Sequence, residues 1–291
     1  MPFLTRILVP VVFSERCELA ALYAAALASR FQSELTLLHI FVPPWVTVAS
    51  PEGYAIPPQV EMEAVRARTQ SQLDQFLSDE LRDLHVQREV LEGDPAQVIA
   101  EQARSRHFDL IVMPTHGYGP FRRFLLGSVT AKVLHDAGCP VLTGPHLEHP
   151  LATAAADFRK ILCAVDLGPQ SHAVLEWASR FVAEFHSEVT LLHVLVGAAT
   201  RLDGIYFDPQ WRNDMAEAAR LQISSLQYEM RTQHHVRIDA GDVPHVARQA
   251  AEETGADLLI IGRGHTHGLL GRLRTNAYAI LRESPCPVLA I

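Results

Sequence analysis

Five short segments occur twice in this chain, in the same order, and no other feature restricts its fold as strongly. Arg6-Ile-Leu-Val-Pro-Val-Val12 returns as Lys160-Ile-Leu-Cys-Ala-Val-Asp166. Ser33-Glu-Leu-Thr-Leu-Leu-His-Ile40 returns as Ser187-Glu-Val-Thr-Leu-Leu-His-Val194, changed only at Leu35/Val189 and Ile40/Val194. Gly93-Asp94 and Gly241-Asp242 each precede an apolar helical pattern. Asp109-Leu-Ile-Val-Met113 matches Asp257-Leu-Leu-Ile-Ile261, and Cys139-Pro-Val-Leu142 matches Cys286-Pro-Val-Leu289. Conserved order of this kind marks a duplication. It predicts one domain over residues 1–147, a second over 157–291 and a linker over 148–156. The length of 291 residues suits two domains of ordinary size.

Each copy alternates short strands with helices. The first, second and fourth strands are nearly continuous apolar runs, as expected when both faces of a sheet are covered. The third, around Val86 to Val90, alternates instead and is expected to be less buried. Leu19, Leu22, Tyr23, Ala26 and Leu27 fall at i, i+3, i+4, i+7 and i+8, the spacing of a helical stripe facing a sheet. Asp94 followed by Pro95 reads as N-cap and N1, with Gln97 at N3. Strands joined by helix-length crossovers predict an α/β fold, with a five-stranded, mostly parallel, doubly wound sheet in each copy. Ligands of such sheets bind beyond the carboxyl ends of the strands, at the topological switch point. In the first copy those ends are Pro10 to Ser14, Ile40 to Val42 and Pro114 to Gly117. The Pro-rich loop Pro43 to Pro58 leaves the same edge, as a cover or as a plain surface loop.

Composition narrows the function classes. Hydrophobic residues make up 48% and charged residues 20%, so each half can bury a core. A net charge of −8 argues against nucleic acid or an anionic membrane as the main partner. No apolar run is long enough to cross a bilayer, and the N-terminal run reads as a first strand rather than a leader. Cys17, Cys139, Cys163 and Cys286 form no Cys-x-x-Cys pair and are expected to be buried, reduced thiols of a cytoplasmic protein.

One segment carries chemistry. After the fourth strand the first copy reads Met113-Pro-Thr-His-Gly117, then a loop with Gly119, Arg122 and Arg123, then Gly127-Ser128-Val129-Thr130. Glycine after a buried strand lets backbone amides approach a ligand. Gly127-Ser128 opens a helix whose free amides and dipole favour phosphate. Two such donor sets around a loop form a polyphosphate cradle, although a Gly-Ser pair before a helix also serves as an ordinary cap.

Gly117, nine residues, then Gly127 and Ser128 resembles the nucleotide signature of the universal stress proteins, with Pro114 in place of its first glycine. The repeated Ile-Leu-Val opening, the Ser-Glu-x-Thr-Leu-Leu-His strand, the Gly-Asp helix start and the Cys-Pro-Val-Leu ending resemble that family too. The resemblance spans essentially the whole chain, twice. It implies two tandem Rossmann-like domains of the adenine nucleotide alpha hydrolase-like type, and ATP, with Mg²⁺ at its phosphates, as ligand. The site it implies in the first domain comprises Pro10, Val11, Val12, Ile40, Met113, Pro114, His116, Gly117, Gly127, Ser128, Val129 and Thr130. Phosphates would lie on the glycines and Ser128, and adenine on main chain near Ile40. An Asp closing the first strand would meet the nucleoside, but the first copy has Val12 there and the second has Asp166. Weaker candidates in the second domain are Asp166, Val194 and Gly262. His265 takes the place of Gly117 there, and Arg274 and Thr275 take those of Gly127 and Ser128, so the second site is the more degenerate. The resemblance further implies an intramolecular pseudo-dimer of the two halves, with a homodimer of whole chains as a further expectation.

Other readings fare worse. A ligand-free dimerising scaffold remains the main alternative. An adenylating enzyme would carry a Ser-Gly-Gly-rich loop after the first strand, and a dinucleotide dehydrogenase would carry Gly-x-Gly-x-x-Gly; neither motif is present. Fifteen histidines include His265 and His267, and the pair His234-His235, but none combines with Cys or carboxylates into a metal set. His39 and His193 close equivalent strands and read as hydrogen-bonded structural residues. No nucleophile stands beside a base, so no catalytic residue is assigned and any ATP hydrolysis is slow and incidental.

Overall fold

The computed structural model describes residues 3–42, 59–115, 126–144, 157–196, 209–263 and 272–291. The chain divides into two compact units, one built on residues 1–142 and the other on 157–291. Described elements of the first are β1 (Arg6–Pro10), α1 (Glu15–Phe31), β2 (Glu34–Phe41), α2 (Gln59–Gln75), β3 (Val86–Glu92), α3 (Pro95–Ser105), β4 (Leu110–Val112), α4 (Ser128–Asp136) and β5 (Val141–Thr143). Those of the second are β6 (Lys160–Ala164), α5 (Ser171–Phe185), β7 (Glu188–Leu195), α6 (Pro209–Met230), β8 (His235–Ala240), α7 (Val243–Thr254), β9 (Leu258–Ile261), α8 (Arg272–Glu283) and β10 (Val288–Ala290).

Within the first unit the strand order is β3-β2-β1-β4-β5, with every pairing parallel. The second repeats it as β8-β7-β6-β9-β10. β1 and β6 therefore lie inside their sheets, and their apolar runs are buried on both faces. β3 is outermost in the order and mostly half-buried, which accounts for its alternating sequence. The chain reverses its direction of winding beside β1, so a crevice opens between the carboxyl ends of β1 and β4, and likewise of β6 and β9.

Several repeated residues hold the units together. The Asp109 carboxylate accepts from the Thr5 amide at 2.7 Å and the Arg6 amide at 3.0 Å. Asp257 does the same for the Arg159 and Lys160 amides, at 3.0 and 2.9 Å. Ser33 and Ser187 are buried and donate to the Leu4 and Phe158 carbonyls at 2.8 and 2.5 Å. These residues recur because they close the sheet.

The Gly-Asp pairs have the same character. Gly93 and Gly241 hold φ of +145° and +156°, and a Cβ on either would stand 2.9 Å from the Cγ2 of Val98 or Val246, respectively. Asp94 then caps α3 by accepting from the Gln97 amide at 3.0 Å, as expected, and Asp242 caps α7 through the His245 amide at 3.3 Å. The buried face of α1 differs from the expected stripe. Cys17, Ala20, Ala21, Tyr23, Ala24, Leu27, Ala28 and Phe31 are buried, whereas Leu19, Leu22 and Ala26 are only half-buried. Small alanines let the helix sit close to the sheet, which turns the leucines to the flank of the contact. All four cysteines are free and buried.

Candidate functional site

The crevice of the first unit starts from the end of β1. Pro10 pairs with Leu38, and the Val11 amide donates to the Leu38 carbonyl at 2.8 Å, so β1 and β2 end side by side. Val12 then turns outward and is 36% exposed, an apolar side chain where a carboxylate was expected to meet a ligand. Phe13 follows with φ of 51°, in the left-handed region. Its ring stacks on His39 at 4.7 Å and meets Phe76 edge-on at 5.9 Å, contacts that offset the cost of that backbone. His39 Nδ1 lies 2.8 Å from the Val11 carbonyl, so this nitrogen carries the proton and donates. Burial holds the His39 pKa below its ordinary value, against the opposing effect of that bond. The ring is thus the structural, hydrogen-bonded histidine expected of it.

The opposite side of the crevice is the end of β4 and the start of α4. Met113 and Pro114 are buried. The Gly127 amide donates to the Thr115 carbonyl at 2.9 Å, and buried Thr130 donates its hydroxyl to the Pro114 carbonyl at 3.2 Å. These two bonds fix the mouth of α4 against the strand end. Gly127 is the N-cap with φ of −60° and ψ of 144°, and it offers no side-chain acceptor to the helix. Helix geometry leaves the Ser128, Val129 and Thr130 amides without intrahelical partners. Ser128 is exposed and Val129 half-buried. The helix starts at Ser128, directly after its Gly127 cap. The candidates His116 and Gly117, together with Arg122 and Arg123, lie outside the described residues, as do Pro43 to Pro58.

The second unit holds a cavity of about 310 Å³ between the carboxyl ends of β6, β7 and β9 and the side of α8. Asp166, Val194 and Gly262, the three candidates of this half, all line it. Asp166 is exposed at the strand end, and its Oδ1 accepts from the Gly168 amide at 2.8 Å and from Ser171 Oγ at 3.5 Å. The first unit starts α1 differently, with Ser14 Oγ accepting from the Cys17 amide at 3.4 Å. That cap does the turn-forming work of an aspartate at residue 12, so Val12 costs the fold little. His193 Nδ1 donates to the Val165 carbonyl at 2.9 Å, as His39 does to Val11, and its ring also faces the cavity. Gly262 leaves room for Gln170, because a Cβ there would stand 2.8 Å from Gln170 Oε1.

Sequence reasoning missed Gln170, Ser171 and Asn276, which also line the cavity. Asn276 and Ala277 carry no local signal; they reach the cavity only because α8 packs beside β9. One expectation is corrected. α8 begins at Arg272, so Arg274 and Thr275 sit inside its first turn and not at its mouth as Gly127 and Ser128 do. Nothing between Arg272 and Thr275 interrupts a helix, so the chain winds earlier there. Among the described residues, no group of three His, Cys, Asp or Glu is placed to hold a metal ion. No described helix is long and apolar enough to cross a membrane.

Comparison with known proteins agrees with this architecture. The model of the universal stress protein family matches residues 4–143 and again 157–291. A universal stress protein of Mycolicibacterium smegmatis is 24% identical over 296 residues, covering 98% of this chain and 96% of that protein. The crystal structure of a universal stress protein from Archaeoglobus fulgidus superposes with a TM-score of 0.68 at 20% identity, over 99% of this chain and 96% of its own. Another similar structure is a universal stress protein in complex with cAMP; it matches 47% of this chain and 98% of its own at 17% identity, with a TM-score of 0.35. Two family matches, one on each half and together spanning nearly all 291 residues, establish that this chain belongs to the universal stress protein family.

Proposed function

We propose that the chain is a cytoplasmic stress-response protein that binds an adenine nucleotide, ATP with Mg²⁺, in its first domain. The observation that carries this reading is the start of α4. Gly127 caps the helix without a side-chain acceptor, and two hydrogen bonds pin that mouth to the end of β4. Three first-turn amides and the Ser128 hydroxyl are thereby offered at the switch point, in the arrangement that favours phosphate. Gly117 and His116 would complete the phosphate contacts, and main chain at Pro10, Val11 and Ile40 would face the base. Bound Mg²⁺ would screen the phosphate charge, with most of its ligands supplied by phosphate and water. The chain's own part is to bind and orient; no residue is assigned to a bond-breaking step.

The test is to purify the protein from cells without added nucleotide, extract it with acid and analyse what is released, then titrate the emptied protein with ATP. An adenine nucleotide in the extract and a saturable ATP site sensitive to substitution at Gly127 are expected. Exposed Val12 favours a second reading, a dimerising scaffold that holds no ligand, because it removes the carboxylate of the expected nucleoside contact. A blank extract together with no ATP binding at millimolar concentration would select that reading.

A further inference from the structure

We infer that a second copy of this chain docks on the outer face of α6, the two helices lying antiparallel about a twofold axis between Ala218 and Leu221. The starting point is that α6 is apolar on two opposite sides. Ala219, Ile223 and Leu226 are buried, and Ala219 packs with Leu195 and Ile238 of its own unit. On the far side Trp211, Asp214, Ala218, Leu221, Ser225 and Tyr228 follow one another at alternating steps of three and four residues, the spacing of a helix that pairs with another helix. Within or beside that stripe Trp211 is 37% exposed, Met215 42%, Leu221 65% and Tyr228 86%. A surface helix ordinarily keeps the side opposite its core polar.

The fold does not require this outer stripe. The buried pair Leu73 and Phe76 of the first copy corresponds to the buried pair Ile223 and Leu226 of the second. Arg68 and Ser71, both exposed, therefore stand where the second copy has Ala218 and Leu221. α2 ends at Gln75, the counterpart of Ser225, whereas α6 runs on to Met230 and so carries Tyr228. The same element thus covers its sheet in the first unit with a polar outer face.

Complementarity selects both the occupant and its orientation. Two copies of the stripe laid antiparallel bring Trp211 opposite Tyr228, Asp214 opposite Ser225 and Ala218 opposite Leu221. Each pair forms twice, as an isologous twofold interface demands. Two aromatic rings meet. The Asp214 carboxylate accepts from Gln210 Nε2 at 2.9 Å through Oδ1, and its second oxygen can take the Ser225 hydroxyl of the second copy. Leucine fills the space that alanine leaves. Parallel pairing would instead set Asp214 against Asp214 and Ala218 against Ala218, a like-charge contact and a void. On the flanks of the antiparallel pair Met215 lies against Gln222 and Glu217 against Ser224, so neither flank sets like charges together there. From Trp211 to Tyr228 the stripe spans about 27 Å of helix. One pair of helix faces that long buries less than the roughly 1,600 Å² of a standard-size complex, so association is reversible and concentration-dependent.

None of these residues belongs to a candidate nucleotide site, so the inference stands apart from the nucleotide reading. Sedimentation velocity of the full-length chain without nucleotide, over a concentration series, tests it. The wild type is expected to pass from monomer to dimer as concentration rises. Leu221→Lys, which sets two charges near the axis, and Tyr228→Ser should each raise the dissociation constant at least tenfold. Ser71→Lys, on the counterpart helix of the first unit, should leave it unchanged. All three positions are exposed, so a thermal melt should show each variant folded. Orientation is read by cross-linking: Asp214→Cys and Ser225→Cys proteins are oxidised with diamide, separately and mixed. Covalent dimer is expected from the mixture and from neither variant alone, since the native thiols are buried. A wild type still monomeric at millimolar concentration, or a dimer indifferent to Leu221→Lys, overturns the inference. So does cross-linking of either cysteine variant by itself, or none in the mixture.

Discussion

Gly127→Asp separates nucleotide binding from folding, because the two effects have opposite signs. The N-cap backbone at Gly127 is extended, with φ of −60° and ψ of 144°, which any residue adopts without strain. Asp94 and Asp242 show what an aspartate does in such a position: each accepts from an amide three residues on. Replacing glycine by aspartate at an N-cap is worth a few tenths of a kcal/mol. Restricting the unfolded chain adds about 0.4–1 kcal/mol. Together, near 1 kcal/mol raises the melting temperature by roughly 2–4 °C for a domain of this size. Binding moves the other way. A carboxylate about 4 Å from a phosphate is repelled by about 4 kcal/mol at an effective dielectric near 20. The new side chain also competes for the first-turn amides. A loss of ATP affinity of a hundredfold or more follows, about 2.7 kcal/mol at the least. Differential scanning fluorimetry without nucleotide, paired with calorimetric titration of ATP, measures both. Unchanged ATP affinity in a protein that melts higher than the wild type would refute the phosphate role and leave Gly127 as a helix cap alone.

Three further outcomes are expected. Asp94→Ala and Asp242→Ala should each cost about 1 kcal/mol, and the double variant about their sum, in urea denaturation, because each removes one helix cap in a different unit. Gly93→Ala and Gly241→Ala should cost more, about 1–3 kcal/mol each, since φ of +145° or +156° and contact with Val98 or Val246 at 2.9 Å penalise any Cβ; a loss below 0.5 kcal/mol by the same assay would contradict that geometry. Stability should also fall above about pH 9, because burial raises the Cys286 thiol to about 12 and the Cys163 thiol further still. The unfolded chain then releases protons that the folded chain retains, so each thiol's contribution is intact below the ordinary thiol pKa and lost by about 1.4 kcal/mol per pH unit above it. Urea melts of Cys163→Ala between pH 8 and 10.5 should show a shallower decline than the wild type; parallel curves would show that other groups dominate.

The sequence alone determined the duplication, the strand and helix order and the parallel sheets, because each rests on chemistry that is local in the chain. Apolar runs, Asp caps followed by Pro, and glycines before helices act within a few residues, and repeating them twice removes ambiguity. It also placed Gly127-Ser128 at a helix start and paired His39 with His193 as strand-closing rings. What it left open depended on packing. The stripe on α1 was displaced because alanine's small volume, and not leucine's hydrophobicity, decides how closely a helix meets a sheet. That Asp109, Asp257, Ser33 and Ser187 are closures of the sheet emerges only when residues distant in the chain, 104 positions for Thr5 and Asp109 and 29 for Leu4 and Ser33, come within hydrogen-bond distance. The extra turn at the start of α8 moved Arg274 and Thr275 into the helix, which no count of residues from the Cys-Pro-Val ending predicts. The cavity of the second unit exists because α8 lays Asn276 and Ala277 beside β9, across from Asp166 and His193. The polar atoms left at its wall are those the fold has not used itself, and only the folded chain defines them.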